Sequence, residues 1–80
     1  MTVTTVPCPL PGTFYRRPAP DQAPFKDIGD AVTVGDTIGL IEVMKTFVPV
    51  EAETAGTLRA FHVDDQEPVM AGQPLCDLDV

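Results

Sequence analysis

Two stretches of this chain repeat one another's order, and the repeat restricts the fold more than any other feature. Gly12-Thr13-Phe14 recurs as Gly56-Thr57-Leu58, an offset of 44. Val32-x-x-Gly35-x-x-Ile38-x-x-Ile41 recurs as Val69-x-x-Gly72-x-x-Leu75-x-x-Leu78, an offset of 37. The halves share an order, and the first is longer by the difference, seven residues. Eighty residues make one domain at most. A core that small is marginal, so each half buries its apolar face only by packing on the other. β-Branched residues alternate with turn residues at short intervals, and no window shows helical periodicity. The expectation is a single all-β domain over 1–80 with pseudo-twofold symmetry.

The repeated glycines have a local reason. Gly35-Asp36 and Gly72-Gln73 each precede an apolar strand, so both are read as tight turns needing positive φ. The expected core is Val6, Phe14, Ile28, Val32, Val34, Ile38, Leu40, Val50, Leu58, Phe61, Val69, Leu75 and Leu78. Between Ile38 and Val43 apolar residues fall on both parities, so the inward face there is open. The seven extra residues lie between Phe14 and Val32, where Arg16 to Phe25 reads as a proline-rich loop. Six of the nine prolines fall in the first 24 residues, which argues against helix there.

The halves meet at Val43-Met44-Lys45-Thr46. Ile38 to Glu42 runs in and Phe47 to Glu51 runs out, which is a β-hairpin pattern. A tight two-residue turn favours Asn-Gly or Asp-Gly, because both central residues need positive φ. Methionine and lysine stand here instead, although each non-glycine in that region costs about 1–2 kcal/mol. A turn that avoids its cheap residues and presents a lysine suggests that the lysine is its purpose.

Composition excludes several function classes. Five Lys+Arg against twelve Asp+Glu give a formal charge of −7, which disfavours nucleic acid and anionic membrane as partners. No apolar stretch approaches the length of a membrane span, and no signal-peptide pattern opens the chain. Cys8 and Cys76 read as reduced thiols in small core or strand positions, with a bridge between terminal strands the other reading. The one histidine, His62, reads as a surface or edge residue on a strand, and no metal site or catalytic triad can be built around it.

The residues around the tip resemble the attachment motif of the biotin carboxyl carrier family, Ala-Met-Lys-Met preceded by glutamate. Here Glu42 precedes Val43, Met44 and Lys45 are retained, and Thr46 replaces the last methionine. The resemblance covers roughly Val6 to Val80. Pro11-Gly12-Thr13-Phe14-Tyr15-Arg16 resembles the Gly-Thr-Phe-Tyr opening of bacterial acetyl-CoA carboxylase carriers. Gly29-Asp30-x-Val32-x-Val34-Gly35-Asp36-Thr37 and Val50-Glu51-Ala52-Glu53-x-x-Gly56-Thr57 resemble the stretches into and out of the biotin strand pair. The resemblance implies a flattened barrel of two four-stranded antiparallel sheets with the modified lysine at an exposed hairpin tip. It also gives the extra segment a counterpart, a protruding loop called the thumb that approaches the biotin. Arg17, Pro18, Ala19, Pro20 and Asp21 match it, within a loop at about 16–25. Carriers of this type have a long Ala/Pro-rich segment before the domain. This chain starts a few residues before its first expected strand, as an excised domain or a short stand-alone carrier would.

The function implied is that of a non-catalytic cytoplasmic carrier in fatty acid biosynthesis, with covalent biotin on Lys45. Exposed lysine amines are charged at neutral pH, so deprotonation and acyl transfer fall to a separate biotin protein ligase. Glu42, Val43, Met44 and Thr46 are the expected ligase-recognition residues, with Glu42 the strongest candidate for electrostatic steering. In the family a biotin carboxylase subunit carboxylates a ureido nitrogen using ATP, bicarbonate and magnesium. The arm then delivers the carboxylate to a carboxyltransferase subunit, acetyl-CoA or a related acyl-CoA being the acceptor. Lysine plus the biotin chain spans roughly 10–15 Å, so tethering makes the second encounter intramolecular. Two alternatives remain on the residues themselves. One is a lipoyl-type carrier domain, against which Met44 and Thr46 argue. The other is an unmodified hairpin interaction module.

Overall fold

The computed structural model describes residues 2–80. Eight strands form: β1 Val3–Pro7, β2 Gly12–Tyr15, β3 Ala31–Val32, β4 Thr37–Val43, β5 Thr46–Glu51, β6 Gly56–Phe61, β7 Glu67–Val69 and β8 Pro74–Asp79. Among the described residues there is no helix. The strands make two four-stranded antiparallel sheets, ordered β1-β8-β6-β3 and β5-β4-β2-β7. This is the flattened sandwich the sequence led us to expect.

The sequence repeat and the topology coincide. The offsets carry β2 onto β6, β3 onto β7 and β4 onto β8, and the sheet orders then match term by term with β5 opposite β1. The turns repeat bond for bond. Thr33 N–H donates to Asp36 Oδ2 at 2.9 Å, and Met70 N–H to Gln73 Oε1 at 3.0 Å. Gly35 N–H donates to Ala52 O and Gly72 N–H to Cys8 O, both at 2.8 Å. Gly35 and Gly72 have φ of 91° and 83°, as their turn role requires. The recurring Gly-Thr pair has a steric cause. A Cβ at Gly12 would strike the Glu42 carbonyl, and one at Gly56 the Asp79 carbonyl.

The core divides into two matching clusters. One holds Cys8, Phe14, Ile41, Val50, Val63, Val69 and Leu75. The other holds Val32, Ile38, Ala52, Leu58, Cys76 and Leu78. Val6 and Phe61, half-buried, pack against both. Three expected core residues, Ile28, Val34 and Leu40, are not core. Ile28 is 56% exposed and Val34 68% exposed. Both stand at turn corners, where backbone bonds from Asp30 N–H to Asp27 O and from Asp36 N–H to Thr33 O aim the intervening side chains outward. Leu40 is only half-buried, and Ile41 takes the inward position. The register of β4 against β5 shifts between Thr37 and Gly39. A bulge of that kind changes which parity faces inward, so Ile38 and Ile41 are both fully buried.

Cys8 and Cys76 are buried free thiols, one in each cluster. Cys8 Sγ donates to Leu10 O at 2.9 Å. Burial pushes the Cys76 thiol up to about 11, which keeps it protonated and inert. His62 is exposed, as expected, but lies just beyond β6 rather than on a strand, with Nε2 3.0 Å from Asp77 Oδ1. No group of His, Cys, Asp or Glu among the described residues could hold a metal ion.

Candidate functional site

The β4–β5 hairpin closes at the pair Val43↔Thr46, leaving Met44 and Lys45 as its two-residue tip. Their φ values are 49° and 68°, the double left-handed turn whose twist suits flanking strands. Both side chains are exposed, Met44 to 92%. Below the tip Glu42 pairs with Phe47 across the ladder, and Glu42 pairs with Thr13 of β2 on its other side. The lysine therefore stands on a ribbon that is anchored to the rest of its sheet through β2.

The expected recognition residues fare differently. Thr46 is exposed, like Met44. Val43 is half-buried and packs on the core. Glu42 accepts a hydrogen bond from Tyr15 Oη at 2.8 Å. The Tyr15 ring lies 5.9 Å from that of Phe47 at 60°. Tyr15 thus ties both strands of the hairpin to β2. The bond to Glu42, then burial and the negative charges of Glu42 and Asp65, hold the Tyr15 phenol above its usual range.

The loop at 16–25 folds over this face. Phe25 N–H donates to Arg16 O at 2.9 Å and closes its base, while Gln22 N–H donates to Ala19 O at 3.0 Å within it. Arg16 N–H donates to Asp65 Oδ1 at 2.8 Å, and the Arg16 guanidinium stacks 4.1 Å above the Phe61 ring. Arg17 Nη1 donates to Gln22 O at 3.3 Å, and its Nε lies 3.8 Å from Asp65 Oδ2. Between loop and hairpin lies a cleft of about 300 Å³, the lower end of the range for small-molecule sites. Of the five expected thumb residues, Arg17, Pro18, Ala19 and Pro20 line it; Asp21 is exposed and does not. Tyr15, Glu42, Phe47, Asp65 and Gln66 complete it. Tyr15, Phe47 and Gln66 join the site without any motif or spacing having marked them as site residues. For Gln66 the repeat held a signal, because its mate at offset 37 is Gly29.

Fold and tip together define a carrier-type domain, a stiff post with one exposed amine at its end. The family described as biotin-requiring enzyme, of biotinyl and lipoyl domains, matches residues 4–78, and the chain belongs to it. The biotin carboxyl carrier protein of acetyl-CoA carboxylase from Nostoc sp. is 43% identical over 88% of this chain and 38% of its own length. The proteins of that name from Haemophilus influenzae and Pseudomonas aeruginosa are 39% and 40% identical over 84% of this chain, in each case 43% of their own length. The chain thus spans about two fifths of these relatives. The crystal structure of the Kluyveromyces lactis urea carboxylase superposes with a TM-score of 0.81 at 24% identity, covering 99% of this chain and 6% of that one; this likeness shows the fold. Biotin is the cofactor the family requires, and the residues fit it. An unhindered amine projects from the tip, with a partly apolar cleft beside it. No helix among the described residues is long and apolar enough to cross a membrane.

Proposed function

We propose that Lys45 carries biotin in amide linkage and that the domain is the carrier component of a biotin-dependent carboxylase. The observation that carries this is the lysine in left-handed conformation at an exposed two-residue tip. When bound, the group supplies a ureido nitrogen that takes up and gives back a carboxyl group. This chain's own contribution is mechanical and recognitional. The hairpin holds the amine clear of both sheets, and the acidic surface suits basic partner surfaces. No catalytic residue is assigned to the domain. Modification falls to a biotin protein ligase that reads Glu42, Val43, Met44 and Thr46. The carboxyl group would come from a biotin carboxylase subunit and go to a carboxyltransferase subunit, with acetyl-CoA or a related acyl-CoA as acceptor. That places the domain in the cytoplasm, in fatty acid biosynthesis, with neither nucleic acid nor membrane among its partners. Relatives carrying the acetyl-CoA carboxylase name support this reading. The loop at 16–25 would act as the thumb that approaches the tethered head.

Co-expression with a biotin protein ligase tests the proposal by intact mass. One biotinyl increment is expected on the native chain and none on Lys45→Ala, which should keep its fold by circular dichroism. Modification that persists in Lys45→Ala would overturn the assignment.

A further inference from the structure

Four residues outside the hairpin tip have positive φ among those described: Gly29 at 96°, Gly35 at 91°, Gly72 at 83° and Gln66 at 66°. Three are glycines, for which that conformation is unstrained. Gln66 is the exception, and its mate in the other half is Gly29. The two positions do the same backbone work. Gly29 N–H donates to Leu58 O at 2.8 Å, and Gln66 N–H to Phe14 O at 2.6 Å. The flanking turns match as well, Asp27 N–H to Asp30 Oδ2 at 2.8 Å and Asp64 N–H to Glu67 Oε1 at 3.0 Å. A side chain is therefore not needed for the turn, and a glycine would form it with less strain. Nor does packing explain it, since Gln66 is exposed.

Strained positions of this kind concentrate where a side chain is used. Gln66 lines the cleft between thumb and hairpin, together with Phe47 and the thumb prolines. The two carboxylates there already have partners within the domain, Glu42 Oε1 accepting from Tyr15 and Asp65 Oδ1 from Arg16. A carboxamide presents one acceptor oxygen and two donor hydrogens, the complement of a cyclic urea, whose carbonyl lies beside N–H groups. The near wall of the cleft lies within the tether's reach. Phe47 lies two residues from Lys45, about 7 Å along the strand, within the roughly 10–15 Å span of a biotinylated lysine.

We propose that Gln66 receives the ureido head of the group tethered to Lys45, holding it in the cleft by paired carboxamide–urea hydrogen bonds. The inference rests on Lys45 being the biotinylated residue. It assigns Gln66 a ligand contact that its mate Gly29 cannot make.

The test uses isotope-labelled full chain before and after complete biotinylation, with completeness read by intact mass. The Gln66 side-chain amide resonances should shift on biotinylation of the native chain. Without biotin, Gln66→Gly should melt about 2–5 °C higher, the relief of strain outweighing added chain freedom. With biotin, the shifts of Phe47 and the thumb amides should fall to less than half in that variant. Gln66 resonances that do not move in a fully biotinylated chain overturn the proposal and leave the carrier reading intact. A Gln66→Gly chain that melts lower without biotin also overturns it, by showing a structural role. Absence of any biotinyl increment on Lys45 overturns both.

Discussion

The carboxylate of Glu42 has its first partner inside the domain. Tyr15 Oη donates to it at 2.8 Å, so the residue expected to steer a ligase also braces the post beneath the lysine. The bond stabilises the protonated phenol and the neighbouring negative charge disfavours phenolate, which is why Tyr15 titrates above its ordinary value. A folded-state value raised above the unfolded one means a stabilisation fully present below the unfolded value near 10. It is lost as pH rises through the folded value. Glu42→Ala, which removes both acceptor and charge, should therefore bring the Tyr15 transition down toward the ordinary phenol range, as read by near-ultraviolet difference absorbance. An unchanged transition would show that the bond is not made in solution. Tyr15 could not be singled out in advance, because its role depends on a diagonal contact across β2 and β4 that the linear order of residues does not display.

The β4–β5 hairpin exposes the tension between conformation and use. Met44 and Lys45 both occupy the left-handed region, where non-glycine residues are disfavoured by about 1–2 kcal/mol each. Replacing the pair by Asn-Gly, as Met44→Asn with Lys45→Gly, should stabilise the chain by about 1–2 kcal/mol in urea unfolding. The same variant should accept no biotin by intact mass. A loss of stability would mean that the tip side chains contribute to the fold. This hairpin could be read directly from residues, because a lysine in place of glycine stands out against an otherwise regular strand–turn–strand pattern. The inward face of β4 could not. Its register shift between Thr37 and Gly39 moves Ile41 into the core and Leu40 toward the surface, and apolar residues on both parities conceal such a shift. Ile28 and Val34 stand outside the core for a related reason: hydrophobicity alone implies burial, but hydrogen bonds turn these corners outward.

The molecule as a whole rests on two small clusters that are images of each other. Domains of about 80 residues have total stabilities of roughly 4–12 kcal/mol. Leu58→Ala opens one cluster where Phe14 anchors the other, and should cost about 2–5 kcal/mol by urea or thermal unfolding. Lys45→Ala should stay within about 0.5 kcal/mol. Equal effects would mean that the tip takes part in the fold as the core does. Acid should also weaken the molecule. The backbone N–H of Thr33, then Lys26, holds the Asp36 carboxyl below its usual range, and His62 and Thr5 do so for Asp77. Depressed folded values stabilise above the unfolded values and cease to do so as pH falls through the folded ones. Melting temperature should therefore drop between about pH 5 and pH 2, and Asp36→Asn should make that decline shallower. The pseudo-twofold β architecture was readable because the repeat states the same order twice, while the two four-stranded sheets came from the family resemblance. The cleft was not, because its walls come from three separated stretches of chain that only folding brings together.

The chain ends bear on this arrangement. Val80 N–H donates to Thr2 O at 2.8 Å and Thr2 N–H to Val80 O at 3.4 Å, beside the cluster that holds Leu78, while Ile41 and Val43 seat the lysine ribbon on its counterpart. Thr2 and Val80 thus lie side by side, by the cluster that does not seat the lysine ribbon. Chain entering at Thr2 and chain leaving at Val80 would share that one edge, as a lamp and its flex share one bracket.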